Sequence, residues 1–155
     1  MTTRTDNERP LTRRLVRLGR MYRREVDRAL AAHGLTDARA QPVLQIALMG
    51  EGVRQGTLAD ALGIEHPSIV GILDQLCASG LVERQEDPND RRAKTLHLTE
   101  EGRASVVSIE TELDGLRARL LSDTDDEDLT VALRVLTRLE TALEAGSARR
   151  RSMGG

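Results

Sequence analysis

The 155-residue chain is long enough for one domain with a hydrophobic core and too short for two domains of ordinary size. Hydrophobic residues (39%) and charged residues (31%) are both plentiful, which excludes a disordered chain. No long apolar run or apolar N-terminal segment is present, so we expect a cytoplasmic protein, and the net charge of −2 by itself argues against a nucleic-acid partner.

The first predicted helix runs from about Leu11 to His33 and ends at Gly34, where glycine permits a left-handed stop. Its apolar residues recur at three- and four-residue steps, and they include Leu11, Leu15, Leu18, Tyr22 and Val26. The opposite face carries Arg13, Arg17, Arg20, Arg24 and Arg28. Residues 1–30 contain nine arginines and four acids, so they concentrate positive charge, although most charge runs are solvated surfaces. We expect residues 11–34 to form a dimerisation helix and residues 1–9 to be disordered.

The second predicted helix starts at Thr36 and Asp37 and continues to Leu48, with its leucines facing inward. Pro42 lies inside it without the N–H group that a helix interior needs. The sequence therefore predicts a kink, or a helix that begins near Gln41. Residues 50–56 are predicted to form a glycine-punctuated connection.

Two short helices around a glycine turn follow, as a helix-turn-helix requires. The first ends at Gly63, and Pro67 suits the first turn of the second. The residues predicted to be exposed on the second helix are His66, Pro67, Ser68, Val70, Gly71, Asp74 and Gln75. Its first turn would point into a major groove, so Ser68 and His66 are the predicted base readers. An ordinary helical hairpin within a bundle is the alternative.

The hairpin after this helix favours the helix-turn-helix. Leu81–Glu86 and Lys94–Leu98 read as strands, the second with Leu96 and Leu98 inward and Thr95 and His97 outward. The tip carries Asp90, Arg91 and Arg92. An arginine at such a tip can enter a minor groove, and Asp90 can brace Arg92. A solvated turn with incidental charge is the alternative.

Two further helices, over residues 99–145, complete the predicted domain. Thr99 is the expected cap of the first, and Thr124 with Glu127 is the expected capping box of the second. The leucine stripe of the last helix consists of Leu129, Leu133, Leu136, Leu139 and Leu143. The simplest use for this stripe, and for Leu11, Leu15 and Leu18, is a partner subunit. Residues 110–128 contain eight acids and two arginines, and residues 146–155 are predicted to be disordered.

The predicted fold class is mainly α with a small β-hairpin wing, in which a winged helix-turn-helix (residues 36–98) is flanked by long dimerisation helices. From Leu11 to Leu143 the sequence resembles the MarR family of dimeric regulators, and within it the SlyA-like branch. The resemblance rests on these residues: Leu58-Ala59, Gly63-Ile64-Glu65, Pro67-Ser68, Leu73-Asp74-Gln75-Leu76, Gly80-Leu81-Val82, Arg84, Asp87-Pro88, Asp90-Arg91-Arg92-Ala93-Lys94, Leu98-Thr99 and Gly102.

The resemblance implies a homodimer that binds double-stranded operator DNA at a pseudo-palindrome, most simply as a repressor. The implied DNA-binding residues are His66, Pro67, Ser68, Val70, Gly71, Gln75, Arg84, Arg91, Arg92 and Lys94. Similar regulators often carry arginine where this chain has Gly71. Glycine there costs about 1 kcal/mol of helix stability and removes a contact to DNA, so we expect readout to depend more on Ser68 and the wing.

Members of this family commonly respond to small aromatic acids or phenols, which implies an effector site between the dimerisation helices and the winged unit. The candidate effector residues are Arg14, Arg17, Tyr22, Arg23, Arg24 and His33. A hydroxylated nicotinate is the specific expectation. The alternative for Tyr22 and His33 is a role in the core, since both lie on the apolar face of the first helix.

The remaining residues give little support for redox sensing, metal binding or catalysis. Cys77 suggests a redox sensor, but its position beside Leu76 on the inward face favours an inert thiol. The three histidines have no companion cysteines at metal-ligand spacing, and no catalytic motif appears, so we expect no metal, no cofactor and no enzyme activity. A helical module that binds another protein through its leucine stripes is the alternative function.

Overall fold

A computed structural model describes residues 4–153, with side chains described from 6 to 146. Within this range it contains six α-helices and a small sheet. The helices are α1 (Arg4–Leu30), α2 (Asp37–Met49), α3 (Gln55–Leu62), α4 (His66–Ala78), α5 (Glu100–Leu120) and α6 (Asp126–Met153). The strands are β1 (Val53–Arg54), β2 (Val82–Asp87) and β3 (Asp90–Leu98). Contacts divide the chain into a larger unit that ends at Arg117 and a smaller unit that begins at Ala118.

The first and last helices are longer than the sequence predicts. Helix α1 begins at Arg4, and a 3₁₀ turn (Ala31–His33) then leads to Gly34, whose φ of 65° provides the predicted left-handed stop. Helix α6 continues to Met153. The prediction of disorder is therefore wrong for residues 4–9 and 146–153, because arginine-rich sequence is compatible with helix. Residues 1–3 and 154–155 lie outside the described residues.

Helix α2 begins at Asp37, as predicted, and passes through Pro42, so the alternative start near Gln41 is wrong. Asp37 is mostly buried, and its side chain accepts a hydrogen bond from Gln41 Nε2 at 3.2 Å, which stabilises this first turn upstream of the proline. Leu48 is 81% exposed and does not face inward as predicted. It lies in the last turn of the helix, where the core no longer covers it.

The wing belongs to a three-stranded antiparallel sheet with the order β1-β3-β2. The sequence predicts only the β2–β3 hairpin. Strand β1 pairs Val53 with Leu96 and Arg54 with Thr95. Thr95 lies on the same face of β3 as His97, as predicted, but its side chain is buried, and its hydroxyl is 3.0 Å from His97 Nε2.

The core of the larger unit is aliphatic. Val26 and Leu30 of α1 are buried together with side chains from α2, α3, α4, the sheet and α5. Ile69, Leu73 and Leu76 place the inner face of α4 in this core, as their spacing predicts. The opposite face of α4 therefore faces solvent.

The cap of α5 joins this helix to the turn between α4 and β2. The Thr99 hydroxyl accepts a hydrogen bond from the Gly102 N–H at 2.9 Å, which confirms the predicted cap, and it donates one to the Gly80 carbonyl. A second contact holds α5 to the sheet: the Glu51 carboxylate accepts a hydrogen bond from Arg103 of α5 and lies 3.4 Å from His97 Nδ1 of β3. The Arg103 hydrogen bond is the main cause that lowers the pKa of Glu51.

The smaller unit consists of the end of α5 and all of α6. Asp125, rather than Thr124, caps α6, because its carboxylate accepts a hydrogen bond from the Asp128 N–H at 2.8 Å. A carboxylate is also better placed than a hydroxyl against the positive end of the helix. Within residues 4–153, none of the helices combines the length and the apolar character needed to cross a bilayer.

Candidate nucleic-acid interface

Helices α3 and α4 form the predicted helix-turn-helix. Gly63 adopts φ of 63° and ends α3, and Pro67 occupies the first turn of α4, where its missing N–H is of no consequence. The residues predicted to face outward on α4 are all exposed, and they are His66, Pro67, Ser68, Val70, Gly71, Asp74 and Gln75. A row of polar and small side chains at the start of a helix can approach base edges closely.

His66 is held at the start of α4 by a residue of α3. Its Nε2 atom is 3.3 Å from the Asp60 carboxylate, and both side chains are well exposed. The imidazole also lies beside Gly56, where an added Cβ atom would be 3.5 Å from the ring. This pairing orients the ring, whereas the side chain of Ser68, the other predicted base reader, makes no hydrogen bond to another side chain in the described part of the chain.

The tip of the wing presents two arginines. Arg91 and Arg92 are exposed, and within the described residues neither guanidinium has a carboxylate within ion-pair distance. Asp90 Oδ1 accepts a hydrogen bond from the Arg92 backbone N–H at 3.0 Å. The brace is thus made to the backbone rather than to the guanidinium, and both cations stay available for phosphate or for a minor groove.

Two of the predicted DNA-binding cations are already paired. Arg84 Nη1 is 2.6 Å from the Asp74 carboxylate, which ties β2 to α4. Lys94 Nζ is 3.3 Å from Glu86 across the hairpin. Both residues therefore position the wing in this structure. To contact DNA, each would have to leave its carboxylate for a phosphate or bind both groups at once.

Arg54 is a wing residue that the sequence analysis missed. Its guanidinium binds the carboxylate of Asp87, which is buried at the turn between β2 and β3. Asp87 Oδ1 also accepts the Asn89 N–H at 2.8 Å. This backbone bond, followed by the Arg54 bond, lowers the pKa of Asp87. No periodic pattern in a two-residue strand could have revealed this link; only the turn-type sequence Asp87-Pro-Asn gave a signal.

A groove of about 740 Å³ lies between α1 and the helix-turn-helix. It brings together two predicted effector residues and one predicted base reader: Tyr22, Arg23 and Ser68. Arg23 Nε is 3.1 Å from Asp37, which also lines the groove. The volume falls within the range of small-molecule sites. Tyr22, Ile64 and Ile72 suit an aromatic ring, whereas Glu65 adds a second carboxylate to the lining, so an acidic ligand would have to take Arg23 from Asp37.

The other predicted effector residues lie elsewhere. Arg17 and Arg24 line a different groove on α1, and Arg14 lines none of these grooves. His33 is 3.3 Å from Glu112 of α5. The first helix extends past the groove, so residues spread over five turns cannot all face one ligand.

The predicted dimer residues are accessible in each unit. In α1, Leu11 and Leu18 are 41% and 57% exposed, and Leu15 is half-buried. In α6, Leu133, Leu136 and Leu143 are exposed, while Leu129 and Leu139 are half-buried. Apolar stripes that a single chain leaves open are typical of a subunit interface.

Comparison with known proteins places this geometry in context. A sequence model of the MarR family matches residues 33–93. The transcriptional regulator PA3341 is 32% identical, with a TM-score of 0.79 over 87% of this chain and 98% of its own. A MarR-family regulator from Rhodococcus sp. RHA1 is 28% identical, with a TM-score of 0.77 over 90% of this chain and 96% of its own. CouR from Rhodococcus jostii RHA1, in a structure bound to p-coumaroyl-CoA, is 29% identical, with a TM-score of 0.76 over 90% and 95%.

Proposed function

Because the chain belongs to the MarR family, we propose that it is a cytoplasmic transcription regulator that binds a pseudo-palindromic operator as a homodimer and represses transcription. Its action is binding rather than catalysis. The SlyA-like branch is part of this proposal and rests on the motifs of the helix-turn-helix and wing.

The observation that carries the proposal is the combination of an exposed α4 face with two exposed arginines at the wing tip, neither of which has a carboxylate partner among the described residues. The start of α4 offers Ser68 and His66 to base edges in a major groove. Arg91 and Arg92 supply the charge for the adjacent minor groove. A dimer would repeat this set at a spacing of about one helical turn of DNA, 34–36 Å.

The direct test selects bound fragments from the source genome and then titrates the strongest fragment with wing variants. Arg91→Ala and Arg92→Ala should each weaken binding by about 1–3 kcal/mol, or roughly 5- to 150-fold, without loss of the dimer. Arg119→Ala, which removes an exposed cation outside the wing, is the matched control. Unchanged affinity for both wing variants would remove the wing from the mechanism, and no binding to any fragment at low salt would favour a protein-interaction module.

The groove beside α1 supports control by an aromatic effector. A ligand releases DNA only if it binds the DNA-incompetent arrangement more tightly. A ligand against Tyr22 and Arg23 would also touch the turn before Ser68, so it is placed to shift α4. We include a hydroxylated nicotinate as the specific candidate. The p-coumaroyl-CoA bound by CouR suggests aromatic acyl thioesters as a second ligand class.

The effector test measures operator affinity at fixed ionic strength, because added salt alone weakens binding. The ligands are salicylate, hydroxybenzoates, nicotinate derivatives and p-coumaroyl-CoA with its free acid. Tyr22→Phe and Arg23→Gln should reduce the response, whereas Arg14→Gln, outside the groove, should not. A lack of response to every ligand below millimolar concentration would overturn the effector proposal and leave DNA binding intact.

Oxidation of Cys77 is the competing mode of control. The thiol is half-buried and packs against the core, which slows attack by an oxidant. If Cys77→Ser abolishes a peroxide response of the operator complex, redox sensing replaces the aromatic effector in this proposal.

A further inference from the structure

The N-terminal part of α1 is a helical arm that contributes no buried residue to the core of the larger unit. From residue 6 to residue 24 no residue is buried, and burial starts only at Val26. Most of the stability of a helix in a protein comes from packing of its amphipathic face against other elements. Because the arm has an apolar stripe on one face and an arginine stripe on the opposite face, both faces require a partner to stabilise it.

The arginine stripe consists of Arg13, Arg17, Arg20 and Arg24, at successive steps of three or four residues. Within the described residues none of these guanidinium groups has a carboxylate partner, whereas Arg23 binds Asp37 and Arg28 binds Glu25. Like charges at such spacing destabilise a helix. The stripe thus carries unbalanced positive charge, and the exposed apolar side chains of Val16 and Met21 flank it.

The opposite charge occurs in a second part of the same chain, which we call the acidic segment. It consists of Asp123, Asp126, Glu127 and Asp128. All four side chains are exposed, and none has a cationic partner in the described part of the chain. Leu120 and Leu121, 49% and 44% exposed, lie before the segment and are separated from it by one residue. Two acids earlier in the chain, Glu110 and Asp114 of α5, are already paired, because both bind Arg117.

We propose that the arginine stripe of one subunit binds the acidic segment of a second copy of this chain, so that the partner encloses the α1 arm. Two-fold symmetry makes the contact occur twice, since each subunit offers both surfaces. The inference rests on the proposed homodimer and adds that its association is electrostatic as well as apolar. Dimerisation should therefore weaken as salt rises, even without DNA.

Charge reversal tests the contact. The first variant carries Arg13→Glu, Arg17→Glu and Arg20→Glu, and the second carries Asp123→Lys, Glu127→Lys and Asp128→Lys. Each should dimerise about tenfold or more weakly than wild type in sedimentation, because like charges then face each other twice. Circular dichroism confirms that each variant is folded, and uncharged Gln and Asn versions give intermediate values.

A mixture of the two variants provides the decisive measurement. In a heterodimer both contacts again join opposite charges, so the mixture should recover wild-type affinity and form heterodimers in excess of the statistical fraction. If both variants remain tight dimers, or if mixing restores nothing, the contact does not exist between subunits, although operator binding by a homodimer would stand. A wild-type chain that binds the operator as a monomer would overturn the proposed homodimer itself.

Discussion

The Arg54 guanidinium lies 2.6 Å from the Asp87 carboxylate, and this contact ties the two-residue strand β1 to the turn of the wing. Asp87 is buried and also accepts a hydrogen bond from the Asn89 N–H. A single carboxylate therefore shapes the turn between β2 and β3 and holds β1 through Arg54. Both hydrogen bonds favour the ionised carboxylate, and they hold the pKa of Asp87 below its ordinary value.

Stability should accordingly depend on the ionisation of Asp87. A depressed folded-state pKa contributes stability that is fully present above the unfolded value, about 3.9, and is lost as the pH falls through the lower folded-state pKa. Asp87→Asn should lower the free energy of unfolding at neutral pH. In urea titrations the difference from wild type should shrink on acidification below about pH 4.

Glu65→Gln is the control for this series, because Glu65 is exposed and no ion pair to it occurs among the described residues. It removes one carboxylate without touching the wing turn. If Asp87→Asn and Glu65→Gln show the same dependence on pH, the Arg54–Asp87 contact does not stabilise the protein.

Gly71 on α4 provides a test by gain of function. An added Cβ atom there would meet no atom within 4 Å, so a side chain can leave the helix at this position without a clash at its first carbon. Gly71→Ala should stabilise the helix by about 1 kcal/mol. Gly71→Arg should also add a phosphate or base contact, and so raise operator affinity. The slope of the logarithm of the binding constant against the logarithm of salt concentration should become steeper by about one. Equal affinities for the Ala and Arg variants would show that position 71 does not reach DNA.

Gly102 should tolerate no side chain, because an added Cβ atom would lie 2.1 Å from the Leu81 carbonyl oxygen. That oxygen also accepts the Thr99 N–H, so a shift of Leu81 would loosen the cap of α5. We expect Gly102→Ala to destabilise the protein by about 1–3 kcal/mol. Gly115→Ala, in the same helix with open space around it, should stabilise by up to about 1 kcal/mol. If thermal or urea unfolding shows that both variants change the free energy of unfolding in the same direction, the close approach between Gly102 and the Leu81 carbonyl is contradicted.

Leu136 of α6 tests the apolar part of the proposed dimer. Leu136→Asp would place an unpaired charge in the interface, where desolvation disfavours it strongly. Loss of the dimer and of specific DNA binding should occur together. Thr137→Asp, one residue outside the leucine stripe, should leave both intact. A Leu136→Asp protein that remains dimeric in sedimentation would show that the stripe packs within its own subunit.

Local sequence was sufficient to predict the helix-turn-helix and its exposed face. Gly63 and Pro67 impose backbone conformations that depend only on their own covalent structure, so the turn and the start of α4 could be placed without the rest of the fold. The period of Ile69, Leu73 and Leu76 then fixed which side of α4 is buried. The two strands of the wing followed from the alternation of the second strand and from the turn at Pro88, although β3 begins at Asp90, four residues before its predicted start.

Tertiary structure decided the contacts between residues far apart in sequence. Strand β1 has no recognisable period, yet its pairing with β3 brings Arg54 to Asp87. The same holds for the groove, where Tyr22 and Ser68 meet only because α1 packs beside the helix-turn-helix. Periodicity reports which face of an element avoids water; which element covers that face depends on chain packing, and one sequence pattern is compatible with many neighbours.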